Sequence, residues 1–375
     1  MSGRQAAEAE AGGVGGVGGV VAEGAARMPP ELAGGSRTHP VLSVDASVAR
    51  RDFTVTTRFE LRPAERLALF GPSGAGKTSI LELVAGLAPL RHGSVVVDGR
   101  VIAEAGRGRR PRLEPGRHRR VALVRQPTTL FWHLSVGDNL AYGTSGDNRD
   151  VRALAESLGL AGLERAAPLT LSGGQRQRVA LGRALAVPHA VLLLDEPFSA
   201  IDVAARGPLR DLAVDRTEAT GACAILVTHD LDEAQAFGSR LGIVDAGSIV
   251  HLGHPSDVVL RPASVRAAEL VGYRSFVRAG ASGAWFALHP DRFVPGSNPD
   301  RGVVLAGVVR SVGLRGARYE LSLELDDRTA VVAHVDQPPT IGERLSLTAI
   351  DPPSLPAPPD GTAPLGCATG ALVAG

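Results

Sequence analysis

Residues 71–78 read Gly-Pro-Ser-Gly-Ala-Gly-Lys-Thr and carry the most specific chemistry in the chain. The apolar segment 66–70 before them predicts a short buried strand, and apolar residues at helical spacing over 79–87 predict a helix. Glycines without a Cβ atom let several backbone N–H groups point inward, and the helix N-terminus adds its positive end to that nest. The spacing therefore predicts a phosphate-binding loop, in which the lysine reaches the outer phosphates and the threonine hydroxyl holds Mg²⁺.

Lys77 is the only lysine in a chain with 40 lysine and arginine residues in total. The sequence thus uses arginine for every other cation and keeps lysine inside the glycine loop. A compact ammonium group fits among backbone amides, whereas a planar guanidinium does not. We expect this position to reject arginine.

A second candidate anion site lies at Leu171-Ser172-Gly173-Gly174-Gln175. Ser172 is a suitable N-cap for the helix that follows, and the two glycines leave the first amides of that helix open. One phosphate chain does not readily need two such sites in a single subunit. Two subunits placed head to tail would each supply one.

With these residues the chain resembles the nucleotide-binding subunits of ABC transporters. Residues 171–175 match the signature of the family and lie, as there, between the phosphate loop and a buried strand that ends in two carboxylates. A departure in the D-loop is Ile201, where leucine is commoner. The matches to the Q-loop, Walker B, D-loop and H-loop are Gln126, 190–197, 198–202 and 224–230.

The resemblance implies roles that agree with the chemistry of the side chains. Asp195 is expected to hold Mg²⁺ with Thr78, and Glu196 to polarise the attacking water. His229 is expected to contact the γ-phosphate, and Gln126 to bind Mg²⁺ or water. The residues expected to contact ATP are Gly71, Pro72, Ser73, Gly74, Ala75, Gly76, Lys77, Thr78 and Ser79, with Ser172, Gly173, Gly174, Gln175 and Asp202 acting on the ATP of the other subunit.

The contact to adenine departs from the family pattern. The family usually stacks a tyrosine on the base, but residues 41–61 contain none. Phe53 is the nearest aromatic residue, and Arg50 or Arg51 could offer a guanidinium plane.

Composition limits the other possibilities. A net charge of +1 gives no case for a nucleic-acid partner, and two distant cysteines, Cys223 and Cys367, favour a reducing compartment without a disulfide framework. No apolar run approaches the ~18 residues that span a membrane, and the glycine-rich N-terminus shows no signal peptide. Any membrane role must therefore come through partner chains.

We predict an α/β P-loop fold, with a RecA-like core and a helical subdomain carrying the signature, followed by a small OB-like β-barrel. The predicted divisions are a disordered tail (1–40), the ATP-binding cassette (41–277), the barrel (278–352) and a flexible tail (353–375). The barrel resembles a TOBE domain, because residues 317–325 alternate strictly and two further strands follow. A generic β-barrel dimerisation module remains the alternative.

Two loops could contact other molecules. Phe131, Trp132 and His133 form either ordinary core or a surface for docking another protein. The basic stretch 105–120 is interpreted as a solvated loop in preference to a contact with anionic lipid.

The resemblance implies an importer ATPase that works as a homodimer at the cytoplasmic face of the membrane. Its partners would be integral permeases and, indirectly, a solute-binding protein. The expected solute is an oxyanion, molybdate first and sulfate second, with iron or a polyamine as alternatives. An oxyanion needs backbone amides or hydroxyls and a nearby cation, and the barrel residues 311–318 offer them. The rivals are a soluble ABC ATPase of translation or DNA repair, which the single cassette disfavours, and a regulatory binding protein with vestigial hydrolysis, which Glu196 and His229 disfavour.

Overall fold

The computed structural model describes residues 39–50, 53–106, 108–144, 148–278, 285–356 and 367–368. The predicted N-terminal tail therefore lies almost wholly outside the described residues, as does most of 353–375.

Among the residues that the structure describes, twenty strands form three sheets. They are β1 (Leu42–Ala49), β2 (Thr54–Leu61), β3 (Arg66–Phe70), β4 (His92–Val97), β5 (Arg100–Gly106), β6 (Arg109–Leu113), β7 (Val121–Val124), β8 (Val191–Asp195), β9 (Cys223–Thr228), β10 (Arg240–Asp245), β11 (Ser248–Gly253), β12 (Ser275–Arg278), β13 (Trp285–Leu288), β14 (Phe293–Pro295), β15 (Gly302–Arg315), β16 (Arg318–Leu325), β17 (Ala330–Val335), β18 (Arg344–Ile350), β19 (Ser354–Leu355) and β20 (Cys367–Ala368).

Eight α-helices are described. They are α1 (Lys77–Ala85), α2 (Val136–Ala141), α3 (Asn148–Ser157), α4 (Gly173–Ala186), α5 (Val203–Thr220), α6 (Leu231–Phe237), α7 (Pro255–Leu260) and α8 (Val265–Leu270). None of these described helices is both long and apolar enough to cross a membrane.

The largest sheet has the order β6-β5-β4-β1-β2-β11-β10-β3-β9-β8-β7. Its half from β10 to β7 is parallel, and its other half is mainly antiparallel hairpins. In a parallel array the carboxyl ends of the strands meet at one edge, where α/β proteins bind their ligands. The ends of β3, β7, β8 and β9 thus bring all the predicted catalytic segments to the same edge.

Both faces of the parallel strands are buried, so those strands read as continuous apolar runs. In β9, Ile225 packs with α1 residues such as Ile80 on one side, while Leu226 packs with α4 residues such as Leu181 on the other. This alternation produces a three-layer cassette in which α1 and the helical part carrying α4 lie on opposite faces of the sheet.

The C-terminal strands form two sheets, with orders β19-β13-β12-β20 and β14-β18-β15-β16-β17. In the five-stranded sheet the outer strands β14 and β17 lie close together. The sheet is therefore curved in the sense that would close it into the predicted barrel. The four-stranded sheet is shared between two cores. Phe276 of β12 packs with cassette residues, whereas its neighbour Val277 packs with the five-stranded sheet.

Three details differ from the sequence-based expectations. The predicted boundary at 277–278 falls inside β12, because that strand serves both cores. The segment predicted as a C-terminal tail includes Ser354–Leu355, which pairs with β13 and buries Leu355. The basic stretch 105–120 is not a loop throughout, since Arg109–Leu113 pairs with β5 at the sheet edge, where proline is tolerated.

Gly86→Ala is expected to destabilise the cassette more than Gly99→Ala. Gly86 ends α1 with φ +76°, and a Cβ atom there would lie 2.0 Å from Cζ of the buried Arg119, whose guanidinium donates to the carbonyl of Val84. The left-handed backbone costs an alanine about 1–2 kcal/mol at either glycine. Losing hydrogen bonds of the charged guanidinium adds roughly 1.5–3 kcal/mol at Gly86 alone.

Urea denaturation of both variants measures this difference. Gly99 is the matched control, because it has φ +72° but no atom within 4 Å of its Cβ position. Equal losses of unfolding free energy would show that Arg119 does not clamp the end of α1.

Candidate functional site

The phosphate loop joins the end of β3 to the start of α1. A Cβ atom on Gly71 would lie 2.1 Å from the carbonyl oxygen of Val244, so only glycine permits this packing. Gly74 and Gly76 adopt left-handed φ values of +80° and +104°. No side chain caps the N-terminus of α1, because its N-cap residue is Gly76. The first amides of α1 are therefore left for an anion.

The side chain of Lys77 lies across this loop. Its Nζ donates to the carbonyl oxygens of Gly71 at 2.7 Å and Pro72 at 2.9 Å, and the residue is only 6% exposed. Burial lowers the pKa of Lys77, and the nearby carboxylates of Glu196 and Asp195 oppose that change. The ammonium group is thus held inside the loop and close to both carboxylates.

The structure brings Thr78 and Asp195 into contact. The Thr78 hydroxyl donates to Oδ1 of Asp195 at 3.1 Å, and Asp195 is 5% exposed. Burial raises the pKa of Asp195, and the hydrogen bond from Thr78 opposes it. A hydroxyl and a carboxylate are hard oxygen donors of the kind Mg²⁺ prefers, and a cation would offset the cost of burying this carboxyl group.

Glu196 has an unusual backbone. Its φ is +46°, a left-handed value that is uncommon for a residue with a side chain. Its N–H donates to Val227 at 2.9 Å, and its carboxylate Oε1 lies 3.2 Å from Nδ1 of His229. The structure therefore brings the predicted base and the predicted phosphate sensor together.

The carbonyl oxygen of Glu196 accepts three hydrogen bonds. They come from Nε2 of Gln177 at 2.7 Å, the Ser199 hydroxyl at 2.9 Å and the Ser199 N–H at 3.3 Å. Gln177 is not among the site residues predicted from the sequence. The signal available was its spacing, since Gln177 occupies the same face of α4 as the buried Leu181 and Ala184.

Gln126 contacts Ser199 and not the Thr78–Asp195 pair. Its Nε2 donates to the Ser199 hydroxyl at 3.3 Å. Gln126 thereby joins the hydrogen-bond chain that ends on the carbonyl oxygen of Glu196.

The signature caps its own helix. Ser172 and Gln175 form a reciprocal capping box, with bonds of 2.8 Å and 3.2 Å. A Cβ atom on Gly174 would lie 2.8 Å from the carbonyl oxygen of Ala200, so the first turn of α4 packs directly on the loop after β8. Within the described residues, no hydrogen bond joins residues 172–175 to the phosphate loop. Asp202 is exposed and precedes α5 without a side-chain cap.

Phe53 lies beside the phosphate loop. Its ring lies 3.4 Å from the Cβ position of Gly76, and the residue is 37% exposed. Arg50 donates to the Ser79 hydroxyl at 2.8 Å and pairs with Glu82, so its guanidinium is held against α1. Arg51 lies outside the described residues.

The aromatic loop after Gln126 presents a partly exposed surface. The rings of Phe131 and Tyr142 lie 4.3 Å apart between centroids, and the Arg183 guanidinium lies 4.6 Å from the centroid of Phe131. Trp132 is 49% exposed. This patch has the mix of aromatic and arginine side chains typical of protein interfaces.

The C-terminal sheet gives little support to the expected oxyanion contact at 311–318. Arg315 pairs with Glu320 at 3.1 Å, and Arg318 pairs with Asp336 at 2.9 Å. Both guanidinium groups are therefore already engaged by carboxylates, which would repel an anion.

Comparisons with known proteins agree with this geometry. A family profile described as ABC transporter matches residues 56–199. An Fe(3+) ions import ATP-binding protein of Mesorhizobium japonicum is 36% identical over 249 residues, covering 65% of this chain and 68% of that protein. A molybdate/tungstate import ATP-binding protein of Thermococcus kodakarensis is 38% identical over 232 residues, covering 60% of this chain and 68% of that protein.

Solved structures show the same likeness. The ATP-binding subunit of an ABC transporter gives a TM-score of 0.52 at 26% identity, covering 61% of this chain and 97% of that one. A bacterial Atm1-family ABC exporter with ATP bound gives 0.53 at 26% identity, covering 62% of this chain and 41% of that one.

Lys77→Arg is expected to lower ATP affinity at least ten-fold, or about 1.4 kcal/mol, although the charge is kept. The buried ammonium already lies within 2.9 Å of two loop carbonyl oxygens, which leaves no room for a guanidinium plane. Titration with a fluorescent ATP analogue gives the affinity. Lys77→Met, which removes the charge, is the companion variant that separates shape from charge. Wild-type ATP affinity in Lys77→Arg would refute the idea that the loop has no room for a guanidinium group.

Proposed function

This chain belongs to the ABC transporter family as an ATP-hydrolysing subunit, and we propose that two copies of it drive the import of a solute through separate membrane subunits. The observation that carries the proposal is the Glu196–His229 contact of 3.2 Å at the sheet edge that also holds Lys77. A base and its orienting partner beside a phosphate loop are the parts that ATP hydrolysis requires.

The roles proposed for the two side chains follow from their contact. Glu196 accepts the proton of the water that attacks the γ-phosphate. His229, with a proton on Nδ1, donates to that carboxylate and orients it. Lys77 draws the outer phosphates into the loop, where the amides at the start of α1 face the anion.

Mg²⁺ is the metal that the site fits. Thr78 and the buried carboxylate of Asp195 would hold it, and it would neutralise phosphate charge when bound. Gln126 stays a proposed contributor through water, since its side chain bonds to Ser199.

The separation of the signature from the phosphate loop supports a head-to-tail dimer. Ser172 and Gln175 satisfy each other in the capping box, while Gly173 and Gly174 add no side chain at the N-terminus of α4. We propose that this end of α4, together with Gln175 and Asp202, contacts the ATP held by the loop of the partner copy. Each ATP would then lie between two chains.

Phe53 is proposed as the adenine contact. Its ring lies beside Gly76 and is partly exposed, while Arg50 is tied to Ser79 and Glu82. Aromatic stacking on a base is tolerant of base identity, so Phe53 alone would not strongly separate ATP from GTP.

The permeases are proposed to dock at the aromatic loop formed by Phe131, Trp132 and His133. Trp132 is exposed for docking, and Gln126, which precedes the loop in the chain, is hydrogen-bonded through Ser199 to the carbonyl of Glu196. Docking would place the chain at the cytoplasmic face of the membrane, with a solute-binding protein reached only through the permeases.

The solute has two candidates. Iron(III) is favoured by the names of similar proteins, including one from Mesorhizobium japonicum. Molybdate is favoured by the sequence resemblance and by the similar protein of Thermococcus kodakarensis, with sulfate and polyamine as further alternatives. The paired Arg315 and Arg318 remove the physical support for an oxyanion site in the C-terminal sheet.

Glu196→Gln is expected to keep ATP affinity and reduce the hydrolysis rate by ~10²–10⁴-fold, since it removes the base. ATP should then trap the dimer, which light scattering during gel filtration detects. Glu60→Gln is the matched control, because Glu60 bonds to Ser43 in the antiparallel part of the sheet. Unchanged turnover in Glu196→Gln would remove Glu196 from the mechanism.

Uptake measurements in a strain lacking the gene test the solute. Loss of radiolabelled iron uptake alone, restored by the wild type and not by Glu196→Gln, supports iron(III). The same pattern for molybdate supports the oxyanion. Normal uptake of both iron and molybdate would contradict both candidates, but it would leave the proposed ATPase activity unaffected.

A further inference from the structure

A buried glutamine links the signature helix to the backbone of the proposed catalytic base. Gln177 lies in α4, less than two turns beyond Ser172, and is 3% exposed. Its amide Nε2 donates to the carbonyl oxygen of Glu196 at 2.7 Å. An apolar side chain could fill the same buried space but could not donate this hydrogen bond. The contact is therefore specific to the amide of Gln177.

The peptide that Gln177 holds is a strained one. Glu196 keeps φ at +46°, a value that persists in a residue with a side chain only when its surroundings enforce it. The restraints are its own N–H bond to Val227 at 2.9 Å and the hydrogen bonds that its carbonyl oxygen accepts from the donors of Gln177 and Ser199. One of those donors, Ser199, is in turn bonded by Gln126 at 3.3 Å.

The first turn of α4 cannot move without moving this loop. Gly174 packs so closely on Ala200 that a Cβ atom would lie 2.8 Å from the carbonyl oxygen of Ala200. The capping box of Ser172 and Gln175 fixes the start of the helix. A shift of α4 therefore reaches Glu196 through two contacts, the backbone packing at Gly174 and the Gln177 bond.

We propose that Gln177 is a positioning residue that couples the two ATP sites of the dimer. The inference rests on the proposed function. In the head-to-tail dimer the signature contacts ATP held by the partner copy, whereas Glu196 acts on the ATP in its own phosphate loop. Gln177 joins these two elements within one chain, so filling one site sets the base of the other.

Mixed dimers carrying two different tags test this assignment. Glu196→Gln in one chain leaves a single active base in the other. Gln177→Met is then added either to the chain with the active Glu196 or to the chain with Gln at position 196. We expect the hydrolysis rate to fall at least ten-fold in the first arrangement and to stay within two-fold of the parent mixed dimer in the second.

Each outcome decides the proposal. A general effect on folding or dimer formation would reduce both arrangements equally, and that result would overturn it, as would unchanged rates in both. Ser199→Ala removes the hydroxyl that donates to the same carbonyl and keeps the N–H bond of residue 199, so it should repeat the pattern more weakly and serves if Gln177→Met fails to fold. In homodimers of Gln177→Met we expect kcat to fall with little change in KM, and the Hill coefficient for ATP to approach one.

Failure of the proposed function is distinguishable from failure of this inference. If the mixed dimer with one Glu196→Gln chain shows no ATP-dependent association, or the wild type shows no hydrolysis, the dimeric ATPase itself is refuted. If ATP-dependent association and wild-type hydrolysis are both normal, but the hydrolysis rate is the same whichever chain carries Gln177→Met, the positioning role alone is refuted.

Discussion

Lys77 places one buried positive charge inside a loop of backbone groups, and the site is arranged around that charge. A buried cation is tolerated when it is hydrogen-bonded and faces opposite charge, and here two carbonyl oxygens and two nearby carboxylates meet both needs. Because those carboxylates lie at the end of β8, the loop has to emerge at the same edge of the sheet. The close packing of Gly71 on Val244 then fixes where the loop sits.

The parts of the site that depend on neighbours in sequence were predictable. The phosphate loop, the cap at Ser172 and the polar residues after buried strands each carry a local pattern, and the structure forms the elements expected for them. Parallel strands with apolar runs between helices also predict the sheet and hence the common edge. The contacts Thr78–Asp195 and Glu196–His229 follow from that edge.

The parts that depend on distant register were not predictable. Nothing near Gln177 indicates that its amide will meet the carbonyl of Glu196, because that meeting depends on the crossing of α4 over β8. Similarly, the pairing of Arg315 with Glu320 depends on the register of β15 against β16, so the sequence left an apparently free cation where the structure has an ion pair. Leu355 was missed for the same reason, since its partner strand β13 lies far back in the chain.

The four-stranded sheet has a consequence for synthesis on the ribosome. Phe276 and Trp285 emerge directly after the cassette, yet Leu355, which packs with them against that domain, follows only after the whole five-stranded sheet. At about 5–20 residues added per second, the apolar side of β13 waits for several seconds before β19 can cover it. The ATP-binding fold can form during this interval. The nascent chain therefore passes through a state that can bind nucleotide but still exposes the apolar side of β13, to which chaperones can bind.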